Sequence, residues 1–298
     1  MKEVLLIGAN GQLGTALRRV QWPAGWRLVG LARPQLDICD ADAVSRIVNS
    51  RQWAAIINCA AYTQVDAAEQ DPVGAWAVNA LGVAALGSAS AEADIPLVHI
   101  STDYVFDGSK KEGWEVFDPL GPLSVYGASK LGGELALQAS GASCVIVRTS
   151  WLVSPWGSNF ARTLLGKAAH QHEFRVVDDQ RGAPTSALDL ARALVVIACR
   201  IATEGSPSSK IIHFSNSGEA SWAEVAAEVF RLSRAWGGPM ARITPISSHE
   251  LLSGARRPEN SRLSLASAKG VYSLEPREWR FALKDVVGEI LGVAAQET

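Results

Sequence analysis

In the first half of the chain, short apolar runs alternate with longer segments whose apolar residues recur at helical spacing. The runs are continuous rather than alternating, which is typical of parallel strands buried on both faces. We predict strands at Val4–Ile7, Arg27–Leu31, Ala55–Asn58, Leu97–Ser101 and Cys144–Arg148. We predict helices from the first glycine-rich turn to Val20 and at Asp40–Ser50, Pro72–Ala93 and Tyr126–Gln138. This order predicts an α/β fold with a Rossmann-like, doubly wound parallel sheet.

The pattern becomes irregular after Arg148, where Ser, Pro, Gly and Trp interrupt the apolar segments. We predict helices at Asn159–Gln171, Ser186–Ile201 and Ser221–Trp236, and short strands near Phe174–Val177 and Ile211–Phe214. The chain therefore divides into two predicted domains. Residues 1–150, with returns near 183–215, form the Rossmann domain, and residues 151–182 and 216–298 form a smaller, irregular α/β lobe.

Composition narrows the possible functions of the 298 residues. The formal net charge of −2 argues against a nucleic-acid-binding protein, and 48% hydrophobic residues exclude a disordered chain. We find no apolar run near the roughly 18 residues of a membrane span, and no signal-peptide pattern. The four cysteines form no CxxC pair, so we expect reduced thiols, no zinc site and a cytoplasmic location.

A glycine-rich turn follows the first predicted strand and opens a helix. It reads Gly8-Ala9-Asn10-Gly11-Gln12-Leu13-Gly14, with glycines at GxxGxxG spacing. Small residues allow backbone N–H groups to approach a pyrophosphate at a helix N-terminus, where the helix dipole favours negative charge. The turn therefore predicts a dinucleotide site that includes the backbone from Gly8 to Leu13.

Two further segments follow neighbouring strands and face the same predicted crevice. Arg33 follows the second strand, where an acidic residue would bind the ribose 2′-hydroxyl of NAD and an arginine suits the 2′-phosphate of NADP. Ala60, Ala61 and Tyr62 follow the third strand, and we predict that they border the cofactor, because small residues at a strand's carboxyl end permit its close approach. The sequence thus favours NADPH and leaves NADH open.

Tyr126 and Lys130 are four residues apart and share one face of a predicted helix. A nearby ammonium stabilises a phenolate, so we expect Lys130 to lower the pKa of Tyr126 from about 10. Such a tyrosine can donate a proton to a carbonyl oxygen as hydride reaches the carbon. Thr102, at the end of the fourth strand, can hydrogen-bond the same oxygen. We predict these three residues as catalytic.

Other catalytic patterns are missing from the sequence. There is no GxxxxGK[ST], GxSxG or HExxH motif. His170 and His172 diverge on a helix, so they do not face one ion. We therefore predict no metal site.

Eight sequence blocks together resemble the extended short-chain dehydrogenase/reductases, and most closely the branch that reduces dTDP-linked 4-keto-6-deoxy-sugars. The blocks are GANGQLG (Gly8–Gly14), LDICD (Leu36–Asp40), NCAAYTQVDAAE (Asn58–Glu69), STDYVFDG (Ser101–Gly108), YGASKLGGE (Tyr126–Glu134), RTSWLV with NF (Arg148–Phe160), DDQRGAPT (Asp178–Thr185) and RRPENSRL (Arg256–Leu263). They cover nearly the whole chain in order.

The resemblance implies reduction of the C4 keto group of dTDP-4-dehydro-L-rhamnose to dTDP-L-rhamnose, with hydride from NADPH or NADH. It implies an NAD(P)-binding Rossmann domain and a sugar-nucleotide-binding lobe. Tyr126 would be the proton donor, and Lys130 would also bind cofactor ribose. Asp37 and Ile38 would join the cofactor site. The implied substrate-binding residues are Thr102, Asp103, Trp151, Asn159, Phe160 and Arg257.

The departures from the family pattern bear on metal, assembly and alternatives. Some members bind magnesium between subunits through acidic residues, but Ala16 and Leu188 stand here and Glu289 alone is acidic. Magnesium is therefore doubtful, and a homodimer stays possible. Tyr104 stands where related 4,6-dehydratases have a second carboxylate. The alternatives are another sugar-nucleotide reductase or epimerase, or a non-catalytic dinucleotide-binding subunit resembling that of methionine adenosyltransferase.

Overall fold

The computed structural model describes residues 1–205, 210–250 and 254–293. Its strands are β1 (Lys2–Ile7), β2 (Trp26–Leu31), β3 (Ala55–Asn58), β4 (Leu97–Thr102), β5 (Cys144–Thr149), β6 (Leu152–Val153), β7 (Glu173–Val177), β8 (Arg181–Gly182), β9 (Thr185–Ser186), β10 (Ile211–His213), β11 (Ala220–Ser221) and β12 (Arg242–Ile246). Its α-helices are α1 (Gln12–Arg19), α2 (Ala41–Val48), α3 (Val65–Ala68), α4 (Pro72–Trp76), α5 (Gly82–Glu92), α6 (Val125–Ala139), α7 (Phe160–Ala168), α8 (Ala187–Glu204), α9 (Trp222–Ala235), α10 (Ala266–Tyr272) and α11 (Trp279–Ile290).

Six parallel strands form the central sheet in the order β10-β5-β4-β3-β1-β2. The predicted α/β class with a doubly wound parallel sheet is confirmed. Strand order reverses between β1 and β3, and open sheets of this kind bind ligands in the crevice outside the carboxyl ends of strands at such a point. The end of β1 is the start of the glycine-rich turn.

Side chains of β1 alternate between two apolar cores, one on each face of the sheet. Val4 and Leu6 join the core covered by α1 and α8, whereas Leu5 and Ile7 join the core against α2, α5 and α6. This alternation is the two-residue period of a strand, and both sets are apolar because both faces are covered. The continuous apolar runs of the sequence result from this double burial.

The predicted helix over Pro72–Ala93 is present, with a π-helical segment at Ala77–Leu81 between α4 and α5. Asp71 caps its first turn by accepting from Gly74 N. The run Pro72–Glu92 is long and apolar enough to cross a membrane by length and composition alone, contrary to our expectation of no such segment. Half of its most apolar window is buried, and α5 packs against α2 and α6, so in this fold it is a core helix.

A third apolar core is formed by α7, α9, α11 and the parallel pair β7–β12. Helix α11 and strand β12 were not predicted. Trp279 at the start of α11 is almost fully buried in this core. Strand β10 joins the main sheet and α8 packs on α1, whereas the division of the chain into two domains stays a prediction.

A buried ion pair joins helix α6 to strand β5. Arg148 Nε and Nη2 donate to Glu134 Oε1 and Oε2 at 2.9 and 2.7 Å, and both side chains have 1% exposure or less. Arg148 Nη1 also donates to the Val116 carbonyl at 3.1 Å, and the guanidinium lies over the Phe106 ring. Because both charges are buried away from water, removing either partner would leave an uncompensated charge in the core.

Glu134→Gln tests this pair, because it leaves the Arg148 charge buried without a counter-charge. We expect the free energy of unfolding to fall by about 3–5 kcal/mol, measured by urea denaturation. Glu275→Gln is the control, since it removes an exposed partner of Lys269 and should cost about 1 kcal/mol or less. Equal small losses in both variants would contradict the prediction.

Candidate functional site

A cleft of about 260 Å³ opens at the carboxyl ends of β1 and β3. Eight of the predicted cofactor residues line it: Gly8, Asn10, Gly11, Arg33, Asp37, Ile38, Ala60 and Ala61. Gly8 has a φ of +85°, and a Cβ there would lie 2.6 Å from Ala60 N, so only glycine fits. Helix α1 begins just beyond, with Gly11 at its N-cap. These features suit a pyrophosphate at a helix N-terminus.

Three other predicted cofactor residues lie away from the lining of this cleft. The side chain of Leu13 is buried in the sheet core. Gln12 Oε1 accepts hydrogen bonds from Ser154 Oγ at 2.7 Å and Asn159 Nδ2 at 3.0 Å. The backbone of Tyr62 is held by Asn79, whose amide bonds both its N–H and its carbonyl. Any cofactor contact from the Gln12 or Leu13 position would therefore come from the backbone.

Arg33 and Asp37 lie together at the exposed edge of the cleft. Their charged groups are 4.0 Å apart, and the Arg33 side chain is 75% exposed. A guanidinium in this position can bind a phosphate on the adenosine ribose. The exposure leaves it free to change rotamer.

Thr102, Asp103 and Tyr126 meet where β4 ends and α6 begins. Thr102 Oγ1 donates to Asp103 Oδ1 at 3.1 Å and accepts from Tyr104 N. Tyr126 is in the first turn of α6, whose N-cap Ser124 accepts from Gly127 N, and its ring lies edge-on to that of Tyr104. The structure therefore brings the predicted proton donor and its hydroxyl partner together.

Burial raises the pKa of Tyr126 to about 12, and the hydrogen bond with Thr102 only partly opposes it. Our expectation that Lys130 lowers this pKa is wrong. Lys130 Nζ instead donates to the Ile100 carbonyl at 2.6 Å and lies 3.3 Å from His99 Nε2. Burial lowers the pKa of Lys130 to about 8, against the opposing charges of Glu134 and Cys59.

A second cavity, of about 590 Å³, adjoins the Arg256–Arg257 segment. Asp107, Ser109, Gln180, His249 and Glu259 also line it. Arg257 Nη2 donates to Asp66 Oδ2 at 2.6 Å, and its charge also acts on the hydroxyl of Tyr104. The predicted substrate residue Arg257 thus borders this cavity and lies beside Tyr104.

The other predicted substrate residues form an aromatic cluster. Trp151 has a φ of +47° and stacks on Trp222 at 3.7 Å, while Phe160 meets Trp222 edge-on at 4.7 Å. Gly182 makes room for the Trp151 ring, because a Cβ there would lie 2.6 Å from it. Asn159 caps α7 by accepting from Arg162 N. This cluster is joined to the glycine-rich turn through Gln12.

Sequence reasoning missed several residues that position the site. Asn58 and His99 are fully buried beside Lys130, and Trp222 covers Trp151. Polar residues inside the apolar strands β3 and β4 were the available signal for the first two. No signal marked Trp222, whose role depends on a long-range contact.

Metal ligands do not gather in the described part of the chain. Among residues 1–205, 210–250 and 254–293, no three His, Cys, Asp or Glu side chains are placed to hold one ion. Glu289, the acidic residue considered for magnesium, forms an ion pair with Arg19 at 2.6 Å.

Asp103 offers a test of the electrostatics. Burial raises its pKa to about 7, with polar contacts from Ser261 and Thr102 acting the other way. Its folded pKa is above the unfolded value of about 3.9, so its stabilising contribution is complete below pH 4 and is lost as pH rises through 7. The asparagine of Asp103→Asn has no charge to bury. We therefore expect the free energy of unfolding of this variant, relative to that of the wild type, to be higher at pH 8 than at pH 5.

Urea denaturation of both proteins at pH 5 and at pH 8 measures this change in relative stability. Asp42→Asn, which removes an exposed carboxylate, is the control and should show little pH-dependent difference. The same difference at pH 5 and pH 8 for Asp103→Asn would contradict a raised pKa.

Comparisons with known proteins agree with this geometry. The family model described as RmlD substrate binding domain matches residues 1–291. A Sinorhizobium fredii protein named dTDP-4-dehydrorhamnose reductase is 39% identical over 285 residues, covering 95% of this chain and 96% of that protein. The crystal structure of a dTDP-4-dehydrorhamnose reductase from Clostridium acetobutylicum has a TM-score of 0.89 at 34% identity, covering 97% of this chain and 99% of that one.

A second crystal structure, the dTDP-4-dehydrorhamnose reductase of Bacillus anthracis in complex with NADP, has a TM-score of 0.88 at 33% identity and covers 96% of this chain and 99% of that one. Both structural matches extend over nearly the whole chain. The resemblance inferred from sequence blocks is therefore confirmed. The chain belongs to the RmlD substrate binding domain family, together with these dTDP-4-dehydrorhamnose reductases.

Proposed function

We propose that this protein reduces the C4 keto group of dTDP-4-dehydro-L-rhamnose to give dTDP-L-rhamnose, using NADPH or NADH. The observation that carries the proposal is the hydrogen bond between Thr102 and Tyr126, with buried Lys130 one turn further along α6, one strand away from the dinucleotide cleft. Relatives of the same length carry the name of this activity, and one binds NADP. The reaction belongs to sugar-nucleotide synthesis for cell-surface polysaccharide.

The cofactor site is proposed from the residues that line the cleft. Gly8, Gly11 and the start of α1 suit the pyrophosphate, and Ala60 leaves room beside it. Arg33 suits a 2′-phosphate, which favours NADPH. The reduced nicotinamide, when bound, supplies the hydride.

Tyr126 is the proposed proton donor. With a pKa of about 12 it keeps its proton at neutral pH, as a general acid must. The alkoxide that forms when hydride adds to a ketone is a stronger base than a phenolate, so the proton moves from the Tyr126 hydroxyl to the sugar O4. Thr102 Oγ1 orients that oxygen by a hydrogen bond. A lowered pKa is not required for reduction in this direction.

The sugar nucleotide is proposed to extend from this point into the 590 Å³ cavity. Arg256 and Arg257 line this cavity and suit a diphosphate, while Asp107 and Glu259 in the same lining suit hydroxyl groups. Asp103 is next to Thr102 and suits a sugar hydroxyl. Trp151, Asn159 and Phe160 belong to the cluster that we assign to the sugar side.

A homodimer and a cytoplasmic location complete the proposal. Exposed apolar side chains at Val73 and Trp76 of α4 and Leu135 of α6 lie on helices that pack together, with the Trp76 ring over Gly132. A second copy of the chain can bury such a face about a two-fold axis. The substrate and cofactor are both small soluble molecules, as in the relatives.

The proposed activity is tested by following nicotinamide absorbance at 340 nm with purified protein and dTDP-4-dehydro-L-rhamnose made by the preceding enzymes. We expect consumption of NADPH, and of NADH at equal or lower rate, with dTDP-L-rhamnose as product. Unchanged absorbance with both cofactors, together with cofactor binding, would favour the non-catalytic subunit and contradict the proposal.

Tyr126→Phe isolates the proton donor, because it removes the hydroxyl and keeps the ring that packs on Tyr104. We expect kcat to fall roughly 10²–10⁴-fold. NADPH binding, followed by quenching of tryptophan fluorescence, should stay within a few-fold of wild type. Tyr272→Phe is the matched control, because it removes the hydroxyl of another buried tyrosine, which packs in the core covered by α1 and α8, and it should keep near-normal kcat. Wild-type turnover by Tyr126→Phe would remove this residue from the mechanism.

A further inference from the structure

A line of buried polar groups leads from the wall of the cofactor cleft to Lys130. The backbone N–H of Ala60 donates to Asn58 Oδ1 at 3.0 Å. Asn58 Nδ2 is 3.1 Å from His99 Nδ1, and His99 Nε2 is 3.3 Å from Lys130 Nζ. Asn58 and His99 have no exposed surface. We call these four residues the polar chain.

The donor at its first position fixes the direction of the whole polar chain. A backbone N–H can only donate, so the Asn58 atom that faces Ala60 is the amide oxygen, and the NH₂ group faces His99. His99 Nδ1 must therefore accept. Burial is the largest cause that lowers the pKa of His99 well below its ordinary value, and a protonated Lys130 lowers it further, so the ring is neutral in either state of the lysine. A neutral imidazole that accepts at Nδ1 carries its proton on Nε2.

This tautomer determines what Lys130 can do. An Nε2–H donor needs a lone pair on the Lys130 nitrogen, which a neutral amine has and an ammonium lacks. The amine still donates to the Ile100 carbonyl at 2.6 Å. Glu134 and Cys59 are the other ionisable groups that act on Lys130, and both favour its charged form. Burial and the polar chain oppose them.

We propose that Asn58 and His99 are positioning residues for Lys130, in which the Asn58 amide holds the imidazole as the Nε2–H tautomer that donates to the lysine amine. Protonation of Lys130 then requires His99 to change tautomer and the Asn58 amide to turn, which breaks its bond with Ala60 N–H. The proton on the lysine is thereby coupled to a hydrogen bond at the cleft wall. The role of this coupling in turnover rests on the proposed function.

The tautomer itself is measurable without activity. Long-range ¹H–¹⁵N spectra of uniformly ¹⁵N-labelled protein distinguish Nδ1–H, Nε2–H and charged rings, and the chain has five histidines. The signal that is lost in His99→Gln identifies His99. We expect a neutral ring with its proton on Nε2 at pH 9, where Lys130 with its pKa of about 8 is a neutral amine, and a change of tautomer as the pH falls through 8. An Nδ1–H or charged ring in the wild-type protein at pH 9 would overturn the proposal.

Asn58→Asp tests the control of the tautomer by Asn58. The carboxylate can accept from Ala60 N–H and also from His99, so we expect the Nδ1–H tautomer, with Nε2 now accepting from the Lys130 ammonium. The ionisation of Lys130 in the pH profile of kcat/KM should then rise by about one unit or more, a tenfold change in proton affinity. A ring that stays Nε2–H, or an unmoved profile, would overturn the proposal.

Asn79→Asp is the matched control. It also places a carboxylate where a buried amide contacts α6, through Ser129, but it lies outside the polar chain. His99 should keep its Nε2–H tautomer in this variant; a change there would show that charge alone sets the ring and would overturn the role of Asn58. If Asn58→Asp does not fold, the wild-type tautomer still decides. A protein without reductase activity but with the Nε2–H ring would refute the proposed function alone.

Discussion

The buried pair of Glu134 and Arg148 is the constraint on which the candidate site depends. It holds α6 against β5, and α6 carries Tyr126 about two turns and Lys130 about one turn before Glu134. A helix fixed by apolar contacts alone can slide or rotate by small amounts, whereas a bidentate ion pair at 2.7–2.9 Å fixes its register. The same glutamate also favours the charged form of Lys130. Glu134 therefore contributes both to the position of α6 and to the charge state of Lys130.

Burial is the largest cause of every large pKa shift at the site, and its sign depends on the group. It raises the pKa of the acids, to about 7 for Asp103 and about 12 for Tyr126, and lowers that of Lys130 to about 8. The neutral form of each group is favoured, as expected where water has been excluded. At neutral pH the Tyr126 phenol is protonated, so it can donate a hydrogen bond to a bound oxygen.

The sequence predicted the parts of the fold that depend on local pattern. Strand β3 has its predicted bounds, and other strands of the main sheet differ by one or two residues, because burial on both faces makes apolar runs unmistakable. Helix α11 was missed although Trp279, Leu283 and Val286 follow helical spacing. The pKa of Tyr126 was misjudged. Spacing along a helix places Lys130 on the same face as Tyr126, but it does not show that the lysine amino group donates to the Ile100 carbonyl instead.

The contacts of Gln12 link the glycine-rich turn to the aromatic cluster. Its side chain accepts from Ser154 and Asn159, and its carbonyl accepts from Trp156 Nε1 at 2.8 Å. The loop before α7 is therefore hydrogen-bonded to the first residue of α1. Asn159, the last residue of this loop, also caps α7. A pyrophosphate bound at the start of α1 would stiffen the turn to which this loop is hydrogen-bonded. The glycine-rich turn and the proposed sugar side are thus joined directly, through one amide side chain and one backbone carbonyl of Gln12.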